Sequence, residues 1–315
     1  MHKILVTGCA GFVGSTLVER LLGDGHAVVG IDNFNNYYDP QIKERNLDHV
    51  LGSKNFKLFR ADILDFKKLT EIFKVEKFDK IIHLAARAGV RPSIEDPLLY
   101  SQVNVLGTTN LLKAASDMNV KQFIFGSSSS VYGNSKQIPF TEDDLCENIV
   151  SPYGASKRAA EFFARSFHKN FGLKIVILRF FTVYGPKGRV DMAPSLFTNA
   201  ILEDKPIIKF GEGDSSRDYT YIDDIIDGIV KTLETDLDFE IINLGNSNPV
   251  SLNEFIETLE KLLSLKAVIK NMPMQNGDVE NTWANIVKAK KLLGWEPKVQ
   301  FTAGLTKYVE WLRAQ

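Results

Sequence analysis

Cysteine is scarce in this chain, with only Cys9 and Cys146 among 315 residues. Two are too few for a disulfide framework and fit a reducing compartment. An excess of charge of one sign is lacking too: 38 Lys and Arg stand against 39 Asp and Glu, a net charge of -1. That balance excludes the broad basic surface that binds nucleic acid or an anionic membrane, so partners must be recognised locally. No apolar run approaches the ~18 residues that span a bilayer. Met1 leads straight into the strand-like Lys3–Thr7, without the basic, apolar and small-residue order of a secretory signal, and the cytoplasm is the expected location. A Gly-x4-Gly-Lys-Ser/Thr sequence is missing, which disfavours a P-loop nucleotide hydrolase. The five histidines lack ligand spacing, so no metal is expected.

What is present is an ordinary folded composition, 44% hydrophobic and 24% charged, in a chain long enough for about two domains. Short apolar runs at Lys3–Thr7, Ala27–Asp32, Phe56–Arg60, Lys80–Leu84, Gln122–Phe125 and Lys174–Phe180 alternate with helix-length connections. This pattern predicts an α/β fold, a doubly wound parallel sheet of the Rossmann type. After Phe181 the pattern loosens, with Gly and Pro punctuation, and predicts a smaller C-terminal α/β domain for substrate. Its expected helices are Ser195–Glu203, Ser251–Leu263, Ile286–Leu293 and Thr302–Arg313, and its expected strands Ile207–Phe210 and Glu240–Leu244. The division is 1–180 and 181–315, with some later segments expected to return to the first domain. Asp223 and Asp224 read as an acidic helix start, and His83 as a packed strand end.

Between the first strand and the following helix lies Thr7-Gly8-Cys9-Ala10-Gly11-Phe12-Val13-Gly14. Glycines spaced in this way permit a tight turn and close approach of backbone to a pyrophosphate, and the helix N-terminus attracts the phosphates. Asp32 ends the second strand, about 20 residues beyond the glycines, where a carboxylate accepts from ribose hydroxyls and repels a 2′-phosphate. The expected cofactor is therefore NAD rather than NADP. Tyr153 and Lys157, four apart on an expected helix, share one face. An ammonium beside a phenol favours the phenolate, the base that hydride removal from an alcohol requires.

These motifs, together with His83-Leu84-Ala85-Ala86, Ser127-Ser128-Ser129-Ser130-Val131-Tyr132-Gly133, Arg179-Phe180-Phe181 and Arg217-Asp218-Tyr219, resemble the extended short-chain dehydrogenases/reductases. The similarity covers the whole chain and lies in the branch of NAD-dependent nucleotide-sugar epimerases and dehydratases. It implies Ser128 as the active-site hydroxyl, Tyr153 as the base and Lys157 as the ligand of the nicotinamide ribose. It implies Asp62 and Ile63 near the adenine and Ala85 and Asn104 along the cofactor. Gly8, Gly11, Phe12, Val13, Gly14, Asp32, Asn33, Leu84, Ala86 and Phe180 complete the expected cofactor set. For the substrate it implies Phe210 against uracil, Arg217 on the diphosphate and Asp278 on the uridine ribose, with Gln275 departing from an arginine of some glucose-type epimerases. It also implies a homodimer through the apolar helices at Leu98–Ala115 and Ala159–Phe171.

Dehydratases and decarboxylases of this family usually place acidic residues just before Val-Tyr-Gly, whereas this chain has Ser129 and Ser130. That favours hydride removal and return at C4. Ala88-Gly89-Val90-Arg91, Gly188-Arg189-Val190-Asp191-Met192-Ala193 and the run Met272–Val279 are similar to UDP-glucuronate 4-epimerases. A sugar carboxylate needs an anion partner, for which Arg189 is the candidate, with Ser130 and Thr182 as hydroxyl donors. Thr282 stands where the sugar pocket is bounded. The alternatives are a UDP-glucose or UDP-N-acetylglucosamine 4-epimerase, a UDP-glucuronate decarboxylase and a non-catalytic NAD-binding regulator.

Overall fold

The computed structural model describes residues 1–273 and 279–314. Twelve strands follow in chain order: β1 Lys3–Thr7, β2 Ala27–Asp32, β3 Phe56–Arg60, β4 Lys80–His83, β5 Gln122–Ser128, β6 Ile175–Phe180, β7 Thr182–Tyr184, β8 Pro206–Phe210, β9 Ser216–Tyr221, β10 Phe239–Leu244, β11 Pro249–Ser251 and β12 Val268–Met272. The helices are α1 Phe12–Gly23, α2 Pro40–Leu47, α3 Phe66–Glu76, α4 Val90–Glu95, α5 Pro97–Tyr100, α6 Thr108–Asp117, α7 Pro152–Phe171, α8 Ala193–Leu202, α9 Ile222–Glu234, α10 Leu252–Leu263, α11 Val287–Leu293 and α12 Phe301–Arg313. A π-helical stretch, Ser101–Gly107, joins α5 to α6.

Seven strands form one sheet in the order β10-β6-β5-β4-β1-β2-β3, every pair parallel. Alternate residues divide between its faces as the pleat demands. Leu5, Ile81, Phe123, Phe125, Ile175 and Ile177 pack under α3, α6 and α7. Ile4, Val6, Ile82, Ile124, Val176 and Leu178 face α1, α9 and the C-terminal half. The strand order reverses between β1 and β4, the switch point at which open α/β sheets bind ligands.

The C-terminal half carries a three-stranded sheet, β11-β9-β7, and the parallel pair β12-β8. Its four expected helices form within two residues of their expected ends. The expected strand Glu240–Leu244 forms as β10 and is a later segment that returns to the first half: it joins the seven-stranded sheet, where Phe239–Leu244 pairs with Ile175–Phe180. Without it β6, buried along Ile175–Leu178, would present an open apolar edge. Asp223 and Asp224 do open α9. Asp224 also accepts from Lys298 N and Val299 N, each at 3.0 Å, which anchors the approach to α12.

Candidate active site

The C-terminal ends of β1, β2, β4, β5 and β6 open into a cavity of about 1260 Å³. At its cofactor end, Gly8 has φ +68°, and a Cβ there would stand 2.8 Å from Ala85 N. A Cβ on Gly14 would meet Gly8 O at 2.0 Å. The chain therefore requires glycine at both points. α1 begins at Phe12 without a side-chain cap and without an acidic residue in its first turn, which leaves its N–H groups and positive dipole for an anion. Asp32 is buried; Oδ2 accepts from Ala10 N at 3.1 Å and Oδ1 from Phe34 N at 2.9 Å, with Lys43 Nζ 4.0 Å away. Asn33 Nδ2 donates to Asp62 Oδ2 at 2.8 Å, joining the ends of β2 and β3. These features fit a dinucleotide.

Below this wall His83 is wholly buried. Thr108 Oγ1 donates to Asn104 O at 2.6 Å, so it accepts from His83 Nε2 at 2.9 Å. His83 Nδ1 then accepts from Thr7 Oγ1 at 2.7 Å, and Thr7 Oγ1 accepts from Ala85 N at 3.2 Å. Burial first and Lys157 second hold the imidazole well below its ordinary pKa, so it is neutral and this one tautomer satisfies the chain. His83 is thus a strut for the Ala85 backbone.

The chemistry sits on β5 and α7. Ser151 caps α7, its hydroxyl accepting from Gly154 N at 3.1 Å, and Pro152 occupies the first turn. Tyr153 and Lys157 therefore face the end of β5 from the first two turns of α7. Ser128 Oγ accepts from Ser130 N at 3.1 Å and donates to Ser130 Oγ at 3.1 Å. Burial raises the Tyr153 phenol, while its hydrogen bond with Ser128 and the charge of Arg189 draw it back down. Burial pushes Lys157 down to about 7, with Glu161 opposing the shift. Lys157 Nζ lies 4.6 Å from the centre of the Phe125 ring. Arg189, which the spacing of Tyr153 and Lys157 does not reveal, is thus a further cation placed to favour the Tyr153 phenolate.

Arg189 Nε and Nη2 form a fork on Asp191 at 3.0 and 2.6 Å, and Nη2 also donates to Tyr37 Oη at 3.1 Å. Burial opposes the guanidinium charge, but the Asp191 carboxylate outweighs it and holds Arg189 above its ordinary pKa. Arg217 Nη1 donates to Ser216 O at 2.9 Å and Glu280 O at 3.3 Å. Its neighbour Asp218 is wholly buried and accepts from Asn246 N, Ser247 N and Ala284 N at 2.6, 3.0 and 2.9 Å. Asp218 thereby ties three segments together behind Arg217. Phe210 carries the Arg91 guanidinium over its ring at 4.4 Å.

One cavity thus brings together Gly8, Gly11, Phe12, Val13, Gly14, Asp32, Asn33, Asp62, Ile63, Leu84, Ala85, Ala86, Ser128, Ser130, Tyr153, Lys157, Phe180, Thr182, Arg189, Phe210, Arg217 and Thr282. Asn104 is not on the lining. It is 1% exposed and lies behind it, accepting from Arg87 N at 2.8 Å and donating to Arg87 O and Ser156 Oγ, each at 2.9 Å. Asp278 and Gln275 fall outside the described residues. Sequence reasoning passes over Tyr37 and Arg87, which also line the cavity; their ring and guanidinium stack at 4.6 Å. Among the described residues no group of three His, Cys, Asp or Glu could hold a metal.

The family model described as GDP-mannose 4,6 dehydratase matches residues 5–308. A UDP-glucuronate 4-epimerase of Thermodesulfobacterium geofontis is 46% identical over 312 residues, 99% of this chain and 96% of the relative. UDP-glucuronate 4-epimerase 5 of Arabidopsis thaliana is 42% identical over 98% of this chain and 74% of its own. The crystal structure of UDP-glucuronic acid 4-epimerase from Bacillus cereus, in complex with UDP-glucuronic acid and NAD, superposes with a TM-score of 0.94 at 40% identity, covering 99% of each chain. Matched over almost its whole length and folded around a glycine-rich turn with serine, tyrosine and lysine at the switch point, the chain belongs to the GDP-mannose 4,6 dehydratase family of extended short-chain dehydrogenases/reductases.

Proposed function

We propose that this protein interconverts UDP-glucuronate and UDP-galacturonate by NAD-dependent epimerisation at C4. The observation that carries the reading is the shared cavity of Tyr153 and Arg189: the base and a partly buried cation act on each other electrostatically, with Ser128, Ser130 and Thr182 on the same lining. NAD, bound along the glycine turn and Asp32, supplies the acceptor and later the donor of the C4 hydride. Tyr153 as phenolate takes the proton of the 4-hydroxyl, and Ser128 holds that hydroxyl by a hydrogen bond. Lys157 binds the nicotinamide ribose. Arg217 grips the diphosphate and Phe210 stacks on the uracil, so the 4-keto sugar turns about a fixed link and presents its other face. Tyr153 then returns its proton. Asp278 is assigned to the uridine ribose by the resemblance alone.

A ketone at C4 makes the uronate a β-keto acid that can lose CO₂. Arg189, Ser130 and Thr182 suppress that loss by fixing the carboxylate with its breaking bond out of line with the carbonyl π system. Residues 1–180 with β10 serve the cofactor, and the rest of 181–315 the nucleotide sugar. Exposed apolar residues on α5 and α7, with Leu98 at 75% and Phe162 at 57%, support a homodimer through these helices. Two unpaired, buried cysteines support a reducing, cytoplasmic setting.

The test is to incubate the purified protein with UDP-glucuronic acid and follow the sugar-ring protons by NMR, without and then with added NAD. UDP-galacturonic acid is the expected product, and its formation without added NAD would show that the cofactor is retained. UDP-pentose would favour a decarboxylase, and an unchanged spectrum with NAD a neutral or N-acetylated substrate.

A further inference from the structure

The loop after β2 runs from the cofactor end of the cavity to the sugar end and finishes on Tyr37. Side chains build it stepwise: Asn35 N donates to Asn33 Oδ1 and Tyr37 N to Asn35 Oδ1, each at 3.1 Å. Asn33 is itself tied to Asp62 at 2.8 Å. The opposite wall makes room for the phenol. Gly89 has φ +105°, and a Cβ there would stand 2.6 Å from Tyr37 Oη. In that space Tyr37 Oη accepts from Arg189 Nη2 at 3.1 Å and donates to Asp191 Oδ2 at 3.2 Å. With the fork between Arg189 and Asp191, the three side chains close a triangle. The three contacts that Arg189 makes here use the Nε and Nη2 edge of the guanidinium; among the described residues its Nη1 makes no hydrogen bond.

We infer that Tyr37 and Asp191 are positioning residues that fix the plane of Arg189 and so set the preference of the sugar pocket for a carboxylate. The inference rests on the reading of Arg189 as the partner of the uronate. A free arginine has several rotatable bonds and loses rotamer entropy on binding an anion. A guanidinium already clamped on one edge has met that cost in folding and offers the other edge in a fixed direction. A neutral sugar gains nothing from this arrangement, so the clamp acts on uronates selectively. Because the clamp is built from the segment that carries Asp32 and Asn33, the sugar pocket is completed by the cofactor half of the molecule.

The experiment is calorimetric titration of the NAD-bound enzyme with UDP-glucuronate and, separately, with UDP. Tyr37→Phe keeps the ring and removes only the hydroxyl. It should weaken UDP-glucuronate about tenfold, the size of one hydrogen bond to a charged group, and leave UDP unchanged. In turnover, KM for UDP-glucuronate should rise more than kcat falls. Equal weakening of both ligands would mark a general disturbance and overturn the inference, as would no weakening of either. Asp191→Asn should also weaken UDP-glucuronate. Tighter binding would make Asp191 a competitor of the substrate and overturn its positioning role. Arg189→Ala separates this inference from its premise: if that variant binds UDP-glucuronate normally, the carboxylate reading fails and the inference with it. If Arg189→Ala weakens UDP-glucuronate and Tyr37→Phe does not, only the inference fails.

Discussion

At the scale of the residue, the buried ammonium of Lys157 makes a prediction that needs no substrate. Its pKa is pushed from the ordinary value of 10.5 to about 7 in the folded chain. Between about pH 7 and 10.5 the unfolded chain therefore holds a proton that the native chain has released. Stability from this group rises with pH across that window. Lys157→Met should stabilise the cofactor-free protein more at pH 7 than at pH 9.5, and paired thermal melts at the two pH values check the sign. Arg189→Ala should lower kcat/KM for UDP-glucuronate by on the order of 100-fold and raise the share of UDP-pentose, with a much smaller effect on UDP-glucose. NMR product analysis reads both, and equal loss on the two sugars would remove Arg189 from carboxylate recognition. Ser128, Tyr153 and Lys157 are legible in the sequence because short, local spacings carry them. Tyr37 is not, since its partner Arg189 lies 152 positions away and the loops that carry the two residues have no period to betray the contact.

At the scale of the element, α7 must approach β5 closely enough for Tyr153 to reach Ser128. Gly154 permits it: a Cβ there would lie 2.4 Å from Ser130 O, a backbone atom that cannot swing aside. Gly154→Ala should displace the helix start and lower kcat at least tenfold. It should cost about 1–3 kcal/mol of stability by overpacking, measured by turnover and denaturant unfolding. Lower down, Glu161 on the same helix accepts from Ser127 Oγ at 2.6 Å and from Arg179 Nε and Nη2 at 3.0 and 2.8 Å. That buried pair ties α7 to β5 and β6. The strands and α7 are legible because periodicity and caps are local signals. The π-helical Ser101–Gly107 is not, because a π turn follows from tertiary fit. It carries Gly107, where a Cβ would meet Ile63 Cδ1 at 2.5 Å, and Asn104, which the resemblance sets on the cofactor and the fold sets behind Arg87.

At the scale of the whole molecule, the back face of the sheet and the C-terminal half share one apolar cluster, from Ile4 and Val6 through Ile229 to Phe255 and Trp295. The two halves are therefore expected to melt together. UDP-glucuronate bound to the native state at 100 times its Kd should add about 2.7 kcal/mol to the stability of the whole chain, as a single shifted transition in calorimetry. If the proposed homodimer forms through α5 and α7, Leu98→Glu with Phe162→Glu should convert it to a monomer in sedimentation velocity without loss of helical circular dichroism. The change of architecture after Phe181 and the return of some later segment are legible in the sequence, but not that β10 is the strand that returns. A run of apolar residues shows that a strand forms, not which edge it joins.

That return has a consequence during synthesis on the ribosome. When Phe180 has emerged, six strands of the large sheet exist but its seventh is still about sixty residues from completion. The nascent chain must then carry β6 as an open, apolar edge. A polypeptide ending at Phe180 holds the glycine turn, Asp32, Tyr153 and Lys157, yet it should precipitate on expression rather than yield a small NAD-binding protein. On that expectation, cofactor capture should wait until the strand that covers β6 has been made.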